Sequence, residues 1–174
     1  TVVNRNTVLT AGHCVSDGAG NYSTNMLFCP SYNASGVNPT TGCWAGGSIT
    51  TTTDWHTGSD FDRDYACVVT NPTGTLVANN IGNVTGWAGI TTNWPRNQQV
   101  FATGYPAASP FPGFNIIFTS AVEWYSLGTG GDAAVSKYIG NDMTGGSSGG
   151  SWWLSIAHQT LEYPDVDGSS ETDP

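Results

Sequence analysis

Two serines stand side by side in residues 143–153, which read MTGGSSGGSWW, and a glycine pair flanks them on each side. A Gly-Gly-Ser-Ser-Gly-Gly string has the composition of a flexible linker. Yet Trp152-Trp153-Leu154 follows at once and reads as a buried strand. A linker rarely runs straight into a core. The other reading is a serine on a tight turn, acting as a nucleophile. Such a serine needs two backbone N–H groups aimed at one point, where an oxyanion develops. One is its own, and the other belongs to a residue two positions earlier. Glycine allows the φ values that this takes. With Ser148 attacking, Gly146 supplies the second amide, and Gly149 and Gly150 leave clearance for a substrate. With Ser147 attacking, Gly145 takes that role, but a bulkier serine follows. Ser148 is the better nucleophile.

A serine hydroxyl needs a base, and the chain has three histidines, His13, His56 and His158. His13 ends the run Leu9-Thr10-Ala11-Gly12-His13-Cys14, where small residues let an imidazole lie at a crowded junction. His56 and His158 lack such surroundings and read as surface or satisfied core residues. The base in turn needs a carboxylate to fix its tautomer. Asp64 opens the apolar run Asp64-Tyr65-Ala66-Cys67-Val68-Val69, where an unpaired carboxylate is costly. Asp54, Asp60 and Asp62 lie in a more polar stretch and read as solvated.

The elements that must position these groups look like short strands. Thr7–Thr10, Tyr65–Thr70, Gln99–Thr103, Asn115–Thr119 and Ser151–Ile156 have β-rich composition. Asp17–Gly20, Asn71–Gly74 and Tyr105-Pro106 read as turns or strand ends. One short helical turn is expected to follow Ala11-Gly12-His13-Cys14, and Thr91–Asn97 reads as a connection between two lobes. The pattern predicts an all-β sandwich or barrel.

Composition narrows the function. The 174 residues suffice for one domain with a real core, or for two small lobes. Only 10% are charged, and the net charge is −9 with four cations. So few cations neutralise few phosphates, which argues against nucleic acid as a partner. An anionic membrane surface repels the chain for the same reason. Glu162, Asp165, Asp167, Glu171 and Asp173 crowd the segment 162–174, which reads as a solvated, disordered tail. The four cysteines, Cys14, Cys29, Cys43 and Cys67, form no Cys-x-x-Cys pair, and the histidines do not fall at ligand spacing around them, so a zinc site is a poor reading while disulfides stay open. No metal and no cofactor are expected. Asn21, Asn33 and Asn83 open glycosylation sequons. No apolar run reaches the length of a membrane span.

The order His13, Asp64, Ser148 is that of the chymotrypsin-like serine peptidases. Leu9–Cys14 resembles that family's histidine motif, Asp64-Tyr65-Ala66 its Asp-x-Ala strand, and Gly146–Gly150 its nucleophile motif. The resemblance runs from His13 to about Trp153. Thr144–Gly150, Gly104-Tyr105-Pro106, and Phe28–Asn33 running on to Trp44 are similar to the secreted bacterial and fungal branch that includes the glutamyl endopeptidases. Ser147 stands where the animal enzymes have an aspartate that pairs with a newly cut N-terminus, so that activation switch is not expected here.

The resemblance implies two antiparallel β-barrels of the six-stranded type, incomplete at both ends. Residues 1–95 would form a lobe carrying His13 and Asp64, and residues 96–174 a lobe carrying Ser148. It implies an extracellular monomer that hydrolyses polypeptides through an acyl-enzyme, with Gly146 and Ser148 forming the oxyanion hole. Thr144 and Gly145 would face the substrate. Cys29 and Cys43 would close a loop, Cys67 would be a buried free thiol, and Cys14 lacks its usual partner. After Trp153 the chain departs from the family, so the specificity pocket cannot be read. Asp142 stands where the trypsins carry a specificity aspartate, and His158 alone follows the serine where a glutamyl pocket would want a histidine. Two other classes compete. One is a non-catalytic or inactive peptidase-like fragment. The other is an α/β-hydrolase esterase, which Gly146-x-Ser148-x-Gly150 also fits, although that fold places its Asp and His after the serine.

Overall fold

The computed structural model describes residues 1–91, 98–122 and 139–154. Among these the architecture is mostly β, in two antiparallel sheets. The fold is that of a chymotrypsin-like double barrel. The expected acidic tail at 162–174, His158 and most of the Thr91–Asn97 connection lie outside the described residues.

The first sheet has the order β1-β4-β3-β2. β1 is Thr7–Thr10, β2 Leu27–Phe28, β3 Trp44–Thr51 and β4 Ala66–Thr70. β-branched residues fill β1 and β4, as a pleated, half-buried surface favours. Along β4, Ala66, Val68 and Thr70 are buried while Val69 is exposed. That alternation faces one side of the sheet to the core. β1 runs antiparallel to β4, with Thr10 opposite Ala66 and Leu9 opposite Cys67. The chain leaving β1 toward His13 therefore lies beside the chain entering β4 from Asp64.

Short helices punctuate this sheet. Helix α1, Thr53–Gly58, is capped by Thr52, whose Oγ1 accepts from the Trp55 amide at 3.1 Å. The same hydroxyl donates to the Arg63 carbonyl at 2.7 Å. A one-turn 3-10 helix spans Gly12–Cys14, within the run that the expected turn was to follow rather than after it. Helix α2 is Ile81–Thr85. Val2, Val8, Trp44 and Ile81 form one core cluster, and Val15, Ala66 and Val68 a second. Trp44 is fully buried, and its indole N–H donates to the Asn79 carbonyl at 2.9 Å. That bond satisfies the one polar atom a buried tryptophan brings.

The second sheet has the order β6-β5-β7. β5 is Gln99–Gly104, β6 Ile117–Val122 and β7 Trp152–Trp153. β6 starts and ends later than its expected Asn115–Thr119. β7 pairs with β5 through Phe101 opposite Trp153 and Ala102 opposite Trp152. Contrary to the expected buried strand, Trp152 is exposed and Trp153 half-buried. The Thr103 amide donates to the Ser151 carbonyl at 3.0 Å, which fastens the end of the serine turn to β5.

Cys29 and Cys43 are bonded, as the resemblance implied. Cys14 and Cys67 are free, and both are half-buried. Cys67 is thus less enclosed than expected, because β4 turns alternate residues away from the core.

Trp44→Ala should lower the unfolding free energy by about 3–5 kcal/mol, since it leaves both a cavity and an unpaired Asn79 carbonyl. Urea denaturation measures this. A loss under about 1 kcal/mol would show that the first core does not hang on this side chain.

Candidate active site

His13 and Asp64 meet at two points. The His13 backbone amide donates to Asp64 Oδ1 at 2.7 Å. His13 Nδ1 donates to Asp64 Oδ2 at 2.6 Å. An ionised carboxylate only accepts, so the proton belongs on Nδ1 and Nε2 is left with its lone pair. The Asp64 side chain is 13% exposed and that of His13 39%. A carboxylate this enclosed is tolerable because both its oxygens have donors. Asp54, Asp60 and Asp62 are exposed, as their polar surroundings suggested.

Gly12 makes this contact possible. A Cβ there would lie 2.7 Å from Trp55 Cδ1 and 2.9 Å from Asp64 Oδ1. Trp55 is itself buried, and its ring meets the His13 imidazole edge-on at 6.0 Å between centroids. Its indole N–H donates to the Ser16 carbonyl at 3.1 Å. Trp55 thus backs the imidazole, a role the sequence alone did not reveal. The available signal was the cap at Thr52, which starts a helix in an otherwise polar stretch and points one aromatic inward.

His56 is a satisfied residue. Its Nδ1 pairs with Ser16 Oγ at 2.8 Å, and Tyr22 stacks on its ring at 4.2 Å. Ser16 is buried at 1% exposure, so that Ser–His pair is closed to a substrate.

The double serine lies on a turn. Ser147 is half-buried, and its Oγ donates to the Thr144 carbonyl at 2.9 Å. Ser148 is exposed. Gly146 has φ +103, which a side chain at that position would strain. Among the described residues, the amides of Gly146 and Ser148 donate to no partner. The turn is anchored elsewhere. The amides of Ala107 and Ala108 donate to the Gly145 carbonyl at 2.7 and 3.2 Å. Thr144 Oγ1 accepts from the Ala108 amide and donates to the Ala108 carbonyl. Thr144 and Gly145, expected to face substrate, are therefore engaged with the chain that follows β5.

The turn also approaches the first sheet. A Cβ at Gly149 would land on Thr10 Oγ1 and lie 3.1 Å from the Ala11 amide. Cys14 Sγ donates to the Ser148 carbonyl at 3.8 Å. Burial raises the Cys14 pKa, and the Asp64 charge adds to this against a hydrogen bond from Thr10. The thiol accordingly stays protonated and able to donate. A cleft of about 960 Å³ is walled by strand residues of both sheets, among them Thr10, Phe28 and Trp153, and by loop residues, among them Tyr105, Gly146 and Ser148. His13 and Asp64 lie outside its walls. Asp142 is exposed.

No family model matches the chain. Solved structures do. A thermostable serine protease from an extremophilic microorganism superposes with TM-score 0.76 at 35% identity, covering 88% of this chain and 68% of that one. Protease Anisep from Arthrobacter nicotinovorans gives TM-score 0.76 at 34% identity, covering 88% and 67%. A Glu endopeptidase gives TM-score 0.66 at 21% identity over 90% and 67%, a likeness of fold alone. Among curated proteins, an extracellular metalloprotease of Bacillus subtilis is 30% identical over 113 residues, which is 63% of this chain. The chain spans about a third of that relative, 33% of its length. Among the described residues, no group of three or more His, Cys, Asp or Glu could hold a metal ion. The fold is thus the chymotrypsin-like one, and the chain resembles the bacterial serine proteases and the Glu endopeptidase that share it.

Gly12→Ala should push Trp55 or Asp64 aside and break the two-point contact with His13, at about 1–3 kcal/mol of stability. Proton NMR checks this through the low-field resonance of the His13 Nδ1 proton. An unchanged resonance would mean that Trp55 yields without disturbing Asp64.

Proposed function

We propose that the chain is a serine endopeptidase in which His13, Asp64 and Ser148 form the catalytic triad. The observation that supports it most is the double contact of Asp64 on His13; Ser148 is exposed on a glycine turn, and its carbonyl accepts from the thiol of Cys14, the residue after His13. In this reading Ser148 Oγ attacks a peptide carbonyl as its proton passes to His13 Nε2. Asp64 holds the Nδ1 proton and stabilises the imidazolium. The amides of Gly146 and Ser148 receive the oxyanion. Collapse of the tetrahedral intermediate breaks the C–N bond, and His13 gives its proton to the departing amine. An acyl-enzyme remains. Water, losing a proton to His13, then attacks the ester carbonyl; the C–O bond to Ser148 breaks, Ser148 Oγ takes that proton from His13, and the acid product leaves.

The division into a lobe of residues 1–95 and a lobe of residues 96–174 belongs to the same reading, with the triad drawn from both. So does action outside the cell, which the composition, the sequons and the likeness to an extracellular bacterial protease all favour. The exposed Asn21, Asn33 and Asn83 are open to glycosylation there. The partner is a polypeptide substrate, and the protein works as a monomer.

A fluorophosphonate probe traps only an activated serine, so the adduct should map to Ser148 by mass spectrometry. Ser148→Ala should remove hydrolysis, by about 10⁶-fold in kcat, with thermal unfolding unchanged. Ser147→Ala should keep most activity, because that hydroxyl is spent on the Thr144 carbonyl. Equal losses from the two substitutions would falsify the assignment of Ser148.

A further inference from the structure

Residues Phe28, Cys29, Pro30 and Ser31 contribute to one wall of the cleft. They lead into the loop closed by the Cys29–Cys43 bond, whose sequence separation is 14. Tyr32 lies inside that loop. Its carbonyl accepts a hydrogen bond from Tyr105 Oη at 2.9 Å, between residues 73 apart in sequence. Desolvation raises the Tyr105 pKa, so the hydroxyl stays a donor through neutral and mildly alkaline pH.

The backbone of Tyr105 lies against the serine turn. Its carbonyl oxygen is 2.8 Å from where a Cβ on Gly146 would stand, as is the Ala107 amide nitrogen. Two and three residues further on, Ala107 and Ala108 grip the Gly145 carbonyl and the Thr144 hydroxyl. One residue therefore has its hydroxyl on the disulfide loop of the first sheet and its backbone on the turn that presents Gly146 and Ser148. A side chain that spans two elements in this way transmits the position of one to the other.

We propose that Tyr105 is a positioning residue, through which the loop closed by Cys29–Cys43 sets the placement of the Gly146 amide. The proposal rests on the serine-peptidase reading for its catalytic consequence, but the mechanical coupling stands apart from it. A small misplacement of an oxyanion donor reduces the rate without weakening substrate binding, because the oxyanion exists only beyond the ground state.

The test uses the whole chain and three variants: Tyr105→Phe, the pair Cys29→Ser with Cys43→Ser, and all three changes together. Tyr105→Phe keeps the ring and removes only the hydroxyl, so it should lower kcat about fivefold with KM within about twofold. The cysteine pair should lower kcat at least as much. Combining them should give no more loss than the cysteine pair alone, because the tie has already lost its footing. Losses that multiply, or a change in KM alone, would overturn the proposal.

Hydrogen exchange gives a readout that needs no activity. The Ser147 and Gly150 amides, bonded to the Thr144 and Ser147 carbonyls, should exchange several-fold faster in Tyr105→Phe, about the factor one hydrogen bond contributes. Unchanged exchange overturns the coupling whatever the kinetics. If the folded wild-type protein takes no fluorophosphonate at Ser148, the peptidase reading fails. Faster exchange in the variant would then still sustain the tie.

Discussion

The arrangement depends first on one carboxylate with two donors. Asp64 is largely withdrawn from water, and it sits at the mouth of an apolar strand. A charge in that position is destabilising unless its lone pairs are taken. The His13 backbone amide and ring take one oxygen each. A single bond would leave the imidazole free to swing about it. The second fixes the backbone that bears the ring, and so the direction of the ring. The contact joins residues 51 apart in sequence, and only the antiparallel pairing of β1 with β4 brings them together. In this sense the strand register is the first determinant of the chemistry.

That contact explains the small residues around it. Gly12 has no side chain because Trp55 and Asp64 already occupy the space where one would go. Trp55 in turn is held by the cap of α1 and by its bond to Ser16. The neighbouring Ser16–His56 pair is the same residue types with a different outcome. There the hydroxyl is enclosed and the ring is covered by Tyr22, so the pair braces α1 and does no more. Burial separates a structural serine–histidine pair from one able to act.

Much of this was legible because the chemistry constrains the sequence tightly. A strand-leading aspartate needs a partner, and an oxyanion turn needs glycine, so Asp64, His13 and Ser148 stand out by type and context. β1 was read to its residue bounds, and β4 and β5 to within one residue at an end, since their β-branched runs have clear limits. β3 escaped, because its Gly46-Gly47 interrupts the alternation and the register shifts there against β4. Helix α1 escaped as well. It is six residues long, too short for a helical period to show, and its cap lies in a run of threonines. The tie from Tyr105 to Tyr32 left no local trace, as each residue alone reads as an ordinary tyrosine.

His13 follows β1 and Asp64 precedes β4 of the first sheet, Ser148 precedes β7 of the second, and three contacts between these parts among the described residues are of a particular kind. Gly149 packs against Thr10 and Ala11, the Cys14 thiol reaches the Ser148 carbonyl, and Tyr105 reaches Tyr32. One is a close backbone approach, one a weak sulfur bond and one a single hydroxyl bond. Each is worth about 1 kcal/mol or less, far below what the strand pairing and core of the first sheet supply. Folding of that sheet and alignment of the serine turn against it are therefore separable in energy. A change at the contacts between sheets alters alignment while the sheets persist. The same change within β1 or β4 removes both, because the histidine and the aspartate are ordered by the sheet itself.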